Sequence, residues 1–459
     1  MTQVGPEVSV IELGEPDAED RIGGFHLPAH LRRRLLVALV TLLCVLALAA
    51  SVAGRPGLTK PLWTGSVSLN GFTVGPHGVY LWRQDGKAVF ALDPSTGRPL
   101  WSRDISELPE SISDLGNGVV VVGTQQLSSV GANRPGFTVS LVREQTGDRI
   151  VATTGDYYLT SADGRLLLVF SQRRDHPDAC GTTETYCADI TALDARAGTV
   201  AWKLSLAPDA NFIESLVGSR AEALADVAAD GTVRLRDLST GAVAGSMRLP
   251  RDVSAVGGQV GLGGDALLTA QRGPDGITVT AYRRPALTRT WSVVVPDDTP
   301  TNDRGDGQAY VGECGPDVCL TVHGGGFWVI NPSTGSATNR ISLEPVQRLG
   351  AGVFLAVSMA TGSVFDGTPG KVTGFVVDPS GRNLATLDGP GLVQWADSGD
   401  RALVTREGPD RTEFRLVDAR GIVRSLGSVP GIRLACEAHA DIMACSDRAG
   451  GLRVWRLPL

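Results

Sequence analysis

Residues 88–105 read AVFALDPSTGRPLWSRDI, two short strand-like runs on either side of a turn. The first run, Val89-Phe90-Ala91-Leu92, is apolar at every position. Successive side chains of a strand point to opposite faces, so both faces of this sheet must be covered. Asp93 opens the turn, where its carboxylate can accept from backbone N–H groups one or two residues on. Pro94 presets φ near about −65°. Gly97 can take the left-handed conformation that a hairpin bulge demands. Trp101 then lies on the outgoing strand, where a large flat side chain can fill the gap to a neighbouring sheet.

The pattern returns along the chain. ITALDARAGTVAWKLSL carries Asp194, Gly198 and Trp202 at the spacings of Asp93, Gly97 and Trp101. VRLRDLSTGAVAGSMRL carries Asp237 and Gly241, and FWVINPSTGSATNRISL carries Asn331 and Gly335. FTVSLVREQTGDRIVAT keeps Thr146-Gly147 but has Arg143 in the aspartate position. GFVVDPSGRNLATL and FRLVDARGIVRSL keep Asp378 and Asp418 with a turn one residue shorter. VTAYRRPALTRTWSVVV loses the turn signature and keeps Trp291. The copies recur about every 40–51 residues, within the range of propeller repeats.

Two more strand-like runs precede each copy, GFTVGPH and GVYLWRQ before the first. Four strands per unit, with both sheet faces needing cover, is the logic of a blade in a β-propeller, and stacking in a ring supplies that cover. The chain ends in GGLRVWRLPL with no outgoing strand, while KPLWTGSVSL near the start has the Leu-Trp of one. Pairing 62–69 with 452–457 would close the ring. The sequence count is nine passes; propellers usually have four to eight blades, so eight is the expectation. The expected fold is therefore all-β, a propeller of four-stranded blades over 62–459.

The Ala-Leu-Asp-x-x-Thr-Gly-x-x-x-Trp pattern resembles the PQQ-like, quinoprotein-type propeller repeat, most clearly at Asp93–Trp101 and Asp194–Trp202. TVRLRDLSTG and LRVWRL also resemble WD repeats. The whole chain looks like membrane-anchored actinobacterial proteins with such repeats. The enzymes that carry this repeat imply a bound quinone (PQQ), a calcium ion, an aspartate base and, in many, a disulfide between adjacent cysteines. No Cys-Cys occurs here, and turn formation accounts for the repeat aspartates. The expectation is no cofactor and no catalytic residue.

Ahead of the repeats, residues 1–31 are polar and acidic and read as a mobile cytoplasmic tail. Arg32-Arg33-Arg34 is followed by LLVALVTLLCVLALAASVAG, residues 35–54, without a charge. Twenty residues at about 1.5 Å each span roughly 30 Å, the hydrocarbon thickness of a bilayer. The arginines should stay in the cytoplasm and place the propeller outside. The segment 32–54 is thus expected to be a transmembrane signal-anchor in contact with lipid, and 55–61 a short linker. Ala47-Leu48-Ala49 and Ser51-Val52-Ala53 resemble signal-peptidase sites, but the long polar leader and long apolar run favour an uncleaved anchor.

Beyond Cys44 the cysteines form three local pairs, Cys180/Cys187, Cys314/Cys319 and Cys436/Cys445. An even, paired set suits disulfides in an oxidising compartment. Zinc at Cys319 and His323 lacks a fourth nearby ligand.

The net charge of −7 provides no basic footprint for nucleic acid. G-x-S-x-G around a nucleophile and H-E-x-x-H are both missing. The acidic stretch 297–307, DDTPTNDRGDG, departs from the EF-hand pattern at Arg304 and has no closing glutamate. The long insertion 171–187 is a plausible recognition loop. The expected function is a non-enzymatic, membrane-tethered, extracytoplasmic scaffold that engages a protein or cell-envelope partner. The alternatives are a quinone- or calcium-dependent dehydrogenase-like protein and a sensor of a small ligand or glycan.

Overall fold

A computed structural model describes residues 58, 60–65, 69–83, 88–105, 108–125, 137–172, 188–207, 210–217, 220–250, 253, 259–297, 309–314, 317–322, 326–338, 340–349, 353–358, 373–387, 393–395, 400–408, 410–447 and 450–457. They belong to one compact unit, Pro56–Leu459. The tail 1–31 and the expected anchor 32–54 lie outside the described residues. Among those described there are strands and no helix, and hence no helix long and apolar enough to cross a membrane.

The strands form antiparallel meanders in chain order. Blade 1 is Leu69–Val74, Val79–Arg83, Ala88–Leu92 and Pro99–Asp104, and each strand pairs with the next. Blades 2, 3, 4 and 5 follow over 108–155, 157–205, 211–248 and 260–295. Blades 3 and 4 share one eight-stranded sheet, joined by a short parallel contact of Thr160 and Ser161 with Arg220 and Ala221. Blade 6 has three regular strands, with isolated bridges at Ala337 and Ile341 where the fourth would run. Blades 7 and 8 cover 344–387 and 393–430. Ile432–His439, Ile442–Asp447 and Leu452–Arg456 make three strands of blade 9. Its outer strand is Trp63–Gly65, antiparallel to the last strand, with Trp63 opposite Val454.

Among the described residues the strands make nine blades, the number of passes counted in the sequence and one more than the eight expected from the usual size of propellers. Nine apolar clusters, one per seam, give the same count. Strand alternation shows how they arise. Val120 and Val122 pack against blade 1, while Val119 and Val121 pack against blade 3. Leu167 and Val169 face blade 2, while Leu168 and Phe170 face blade 4. In the last seam, Ile442, Ala444, Leu452 and Val454 of blade 9 meet Phe72, Val79 and Leu81 of blade 1, so the ring is closed. Burial of each such side chain contributes about 1.5–3 kcal/mol, and a blade removed from the ring would forfeit it on both faces.

The repeat turns and the tryptophans are parts of one joint. The Asp93 carbonyl accepts from Gly97 N–H at 2.8 Å, and Gly97 has φ +69°. Over Gly97 lies the indole of Trp63, whose Nε1 donates to the Pro94 carbonyl at 3.0 Å. Trp101 lies in the same way over Gly147 of blade 2 and donates to the Glu144 carbonyl. Trp202 covers Gly241 and donates to Leu238, and Trp291 covers Gly335 and donates to Pro332. Each outer-strand tryptophan therefore docks on the turn of the next blade, not its own. Ile150, Ile341 and Leu384 take this place over Gly198, Gly381 and Gly421.

Blade 5 explains the copy without a turn signature. The blade 4 residue at the tryptophan position is Gly245, and Pro285 of the next turn packs directly against it. The glycine position is held by Leu287, at φ +52° and buried against blade 4. With no indole overhead, a side chain fits there despite the backbone strain.

Gly97→Ala is expected to lower stability by about 2–4 kcal/mol, from left-handed strain together with displacement of Trp63. Gly264→Ala is the control, since Gly264 has φ +52° with no atom within 4 Å of an added Cβ, and should lose only about 1–2 kcal/mol. Denaturant unfolding of both measures the difference; equal losses would refute the tryptophan contact.

Candidate functional site

The repeat residues singled out from the sequence are occupied in turns and joints. Asp93 Oδ1 accepts from the Ser95 and Thr96 N–H groups, at 2.9 and 2.8 Å, and from both hydroxyls. Asp194 caps Arg196 and Ala197, Asp237 caps Thr240, and Asn331 caps Ser333 and Thr334. In the shorter turns Asp378 caps Ser380 and Arg382, and Asp418 caps Arg420 and Ile422. These aspartates are spread over different blades. Disulfides join Cys314 to Cys319 and Cys436 to Cys445. Cys180, Cys187 and His323 lie outside the described residues, as do 298–307 of the acidic stretch. Asp297 at its start pairs with Arg272 at 2.5 Å.

A different set of groups converges at the seam between blades 1 and 2. His77 comes from the turn between the first two strands of blade 1, and Tyr80 from the second strand. Asp114 ends the first strand of blade 2, and Glu144 follows Arg143 in its repeat turn. The Tyr80 hydroxyl lies 2.9 Å from Asp114 Oδ2 and 3.0 Å from Glu144 Oε1. His77 Nδ1 lies 2.9 Å from the same Glu144 oxygen. Asp114 Oδ1 accepts from Gly116 N–H at 2.7 Å. Ligand atoms of His77, Asp114 and Glu144 all lie within 4.8 Å of one another, the one such group of three among the described residues.

The local sequence places these groups. Glu144 occupies the turn position whose carbonyl receives the indole, so Trp101 anchors its backbone while its side chain reaches towards blade 1. Gly75 leaves room for Asp114, because a Cβ there would overlap the carboxylate. The Glu144 side chain is 8% exposed and that of His77 is 64% exposed, so the site is buried at one end and open at the other. Burial raises the Glu144 carboxyl above its ordinary range, Asp114 adds to this, and the Tyr80 and His77 contacts oppose it. Burial, followed by the two carboxylate charges, raises the Tyr80 phenol far above its ordinary value. The phenol therefore stays protonated and acts as a donor. The set can hold a proton or a cation; it holds no nucleophile beside a base.

Sequence reasoning missed this cluster. His77 and Asp114 stand in unpatterned turns, and Glu144 sits in the copy where Arg143 replaces the aspartate. That departure was the available signal.

No family model and no curated protein matches the chain. Among solved structures, a eukaryotic initiation factor matches with TM-score 0.52 and 10% identity, over 81% of this chain and 94% of that one. BamB from Moraxella catarrhalis matches with TM-score 0.43 and 12% identity, over 87% and 98%. The C-terminal WD40 domain of Sif2 matches with TM-score 0.44 and 10% identity, over 88% and 100%. The first of these, the one above 0.5, shows a likeness of fold alone. With nine radially packed meanders closed by a strand from the other end of the chain, the molecule is an all-β protein of the propeller kind.

The Ser95 and Thr96 hydroxyls and N–H groups hold the Asp93 carboxyl down, to about 2. A depressed carboxyl contributes stability above its unfolded value of about 3.9, and the contribution is lost as pH falls through the folded value. Asp93→Asn keeps an acceptor oxygen, as Asn331 does naturally, but removes the charge. The stability gap between wild type and Asp93→Asn should shrink from pH 6 to about pH 2, as read by thermal melts. A gap constant over that range would count against the carboxylate interaction.

Proposed function

We propose that the chain is a non-enzymatic interaction module, tethered to the membrane through 35–54 and presenting one face of its ring to a protein partner outside the cytoplasm. The observation that carries this reading is the asymmetry of the two faces. In each meander, the connections from first to second and from third to fourth strand leave on one face. These are tight turns such as 75–78, 93–98, 144–148 and 237–242, spent on docking the blades. The strand ends that bound the remaining connections lie on the other face, and the longest stretches of sequence between strands, 126–136, 173–187, 298–308 and 359–372, all join strand ends of that kind. Long connections on a rigid scaffold are where recognition residues concentrate. The two disulfides suit an oxidising location, which supports placing the ring outside.

Photo-crosslinking residues placed singly in the full chain in its native membrane test this. Positions Ser128, Thr183 and Ser363 should give a discrete crosslinked species, while Ser95, Ser239 and Ser333 on the opposite face should not. Crosslinks from both faces alike, or from neither, would overturn the proposal. A reporter fused to the C-terminus should be active only outside the cytoplasm, and cytoplasmic activity would reverse the tether's orientation.

A further inference from the structure

We propose that His77, Asp114 and Glu144 bind a six-coordinate divalent first-row cation, Mn²⁺ being the best match, that ties blade 1 to blade 2. The first argument is distance. Adjacent ligands of an octahedral ion with bonds of about 2.0–2.2 Å lie roughly 2.9–3.1 Å apart. His77 Nδ1 and Glu144 Oε1 are 2.9 Å apart, which matches one such edge, and the ligand atoms of all three side chains lie within 4.8 Å of one another. Calcium, with bonds of about 2.3–2.6 Å, would set these edges at roughly 3.3–3.7 Å and prefers oxygen alone. One imidazole with two carboxylates suits a first-row ion better.

The second argument is a shortage of positive charge. The Tyr80 hydroxyl has one proton and faces two carboxylates. Among the described residues the one cationic partner of Asp114 or Glu144 is the His77 imidazole, which carries charge only when protonated; no lysine or arginine pairs with either. A buried carboxylate is stable only when its charge is matched. A divalent ion held by the three side chains supplies the match, and the phenol then acts as a hydrogen-bonding outer support of the carboxylates. The exposed side of His77 gives the ion its entry path and leaves the remaining positions to water. Such a site draws ligands from both blades, so occupancy should stabilise the ring.

The test uses the full-length protein, stripped with chelator and titrated with MnCl₂, with free Mn²⁺ read by electron paramagnetic resonance. The expected result is one saturable equivalent and a rise in melting temperature. His77→Ala removes an exposed ligand without disturbing the core. It should weaken binding by about tenfold or more and abolish the thermal shift. His439→Ala should change neither. With Co²⁺ as the probe, the visible absorption of wild type should indicate six-coordination with a nitrogen ligand and be altered in His77→Ala. Absence of saturable Mn²⁺ binding, equal binding by His77→Ala, or tighter binding of Ca²⁺ than Mn²⁺ would overturn the proposal.

Discussion

An indole laid over a turn glycine is the contact on which this ring depends. Glycine is required twice at that position, for a positive φ and for the flat space above it. The tryptophan is held twice as well, by its face on the glycine and by its Nε1 on a turn carbonyl, as at Trp202 with Gly241 and Leu238. Aspartate or asparagine, three positions of turn and a glycine thus form a socket, and the residue four after the glycine is the plug for the next socket. Because plug and socket belong to neighbouring units, the repeat fixes the relation between blades as well as the hairpin. The Gly245 and Leu287 pair shows the rule from its exception: plug and socket are lost together, and backbone fills the space.

Much of the fold was legible for this reason. Asp93, Gly97 and Trp101 carry their structural roles in their residue types and spacing. What remained ambiguous was where units lose their edges. Blade 6 replaces a regular outer strand by bridges at Ala337 and Ile341, blades 3 and 4 share a sheet, and blade 9 draws on both ends of the chain. The passes counted in the sequence numbered nine and only the usual size of propellers argued for eight; the seams decide for nine, since each must be filled with apolar side chains whatever the turn looks like. The partner blade of each tryptophan was not legible, because spacing within a hairpin carries no information about its neighbour.

The polar cluster at the first seam was hidden for a related reason. It depends on four groups from two blades that approach only when the ring is packed, with Trp101 locating the Glu144 backbone and Gly75 admitting Asp114. A site assembled by packing leaves no spacing motif. Its trace is a repeat copy that departs from consensus: once Arg143 gives up the capping role, Thr146 and Asp148 hydrogen-bond within the turn instead, and Glu144 is free to serve the seam.

The closing strand Trp63–Gly65 sets how the ring meets mechanical load. It is short, and just before it Leu58 is pinned by its N–H to the Leu426 carbonyl of blade 8 and buried between blades 8 and 9. Tension arriving from the N-terminal side reaches Leu58 first and then Trp63, which is at once the first of the three paired residues and the plug in blade 1. The ring is a buckle whose free end is also its lead: the same segment that joins the propeller to whatever precedes it is the segment that keeps the circle shut.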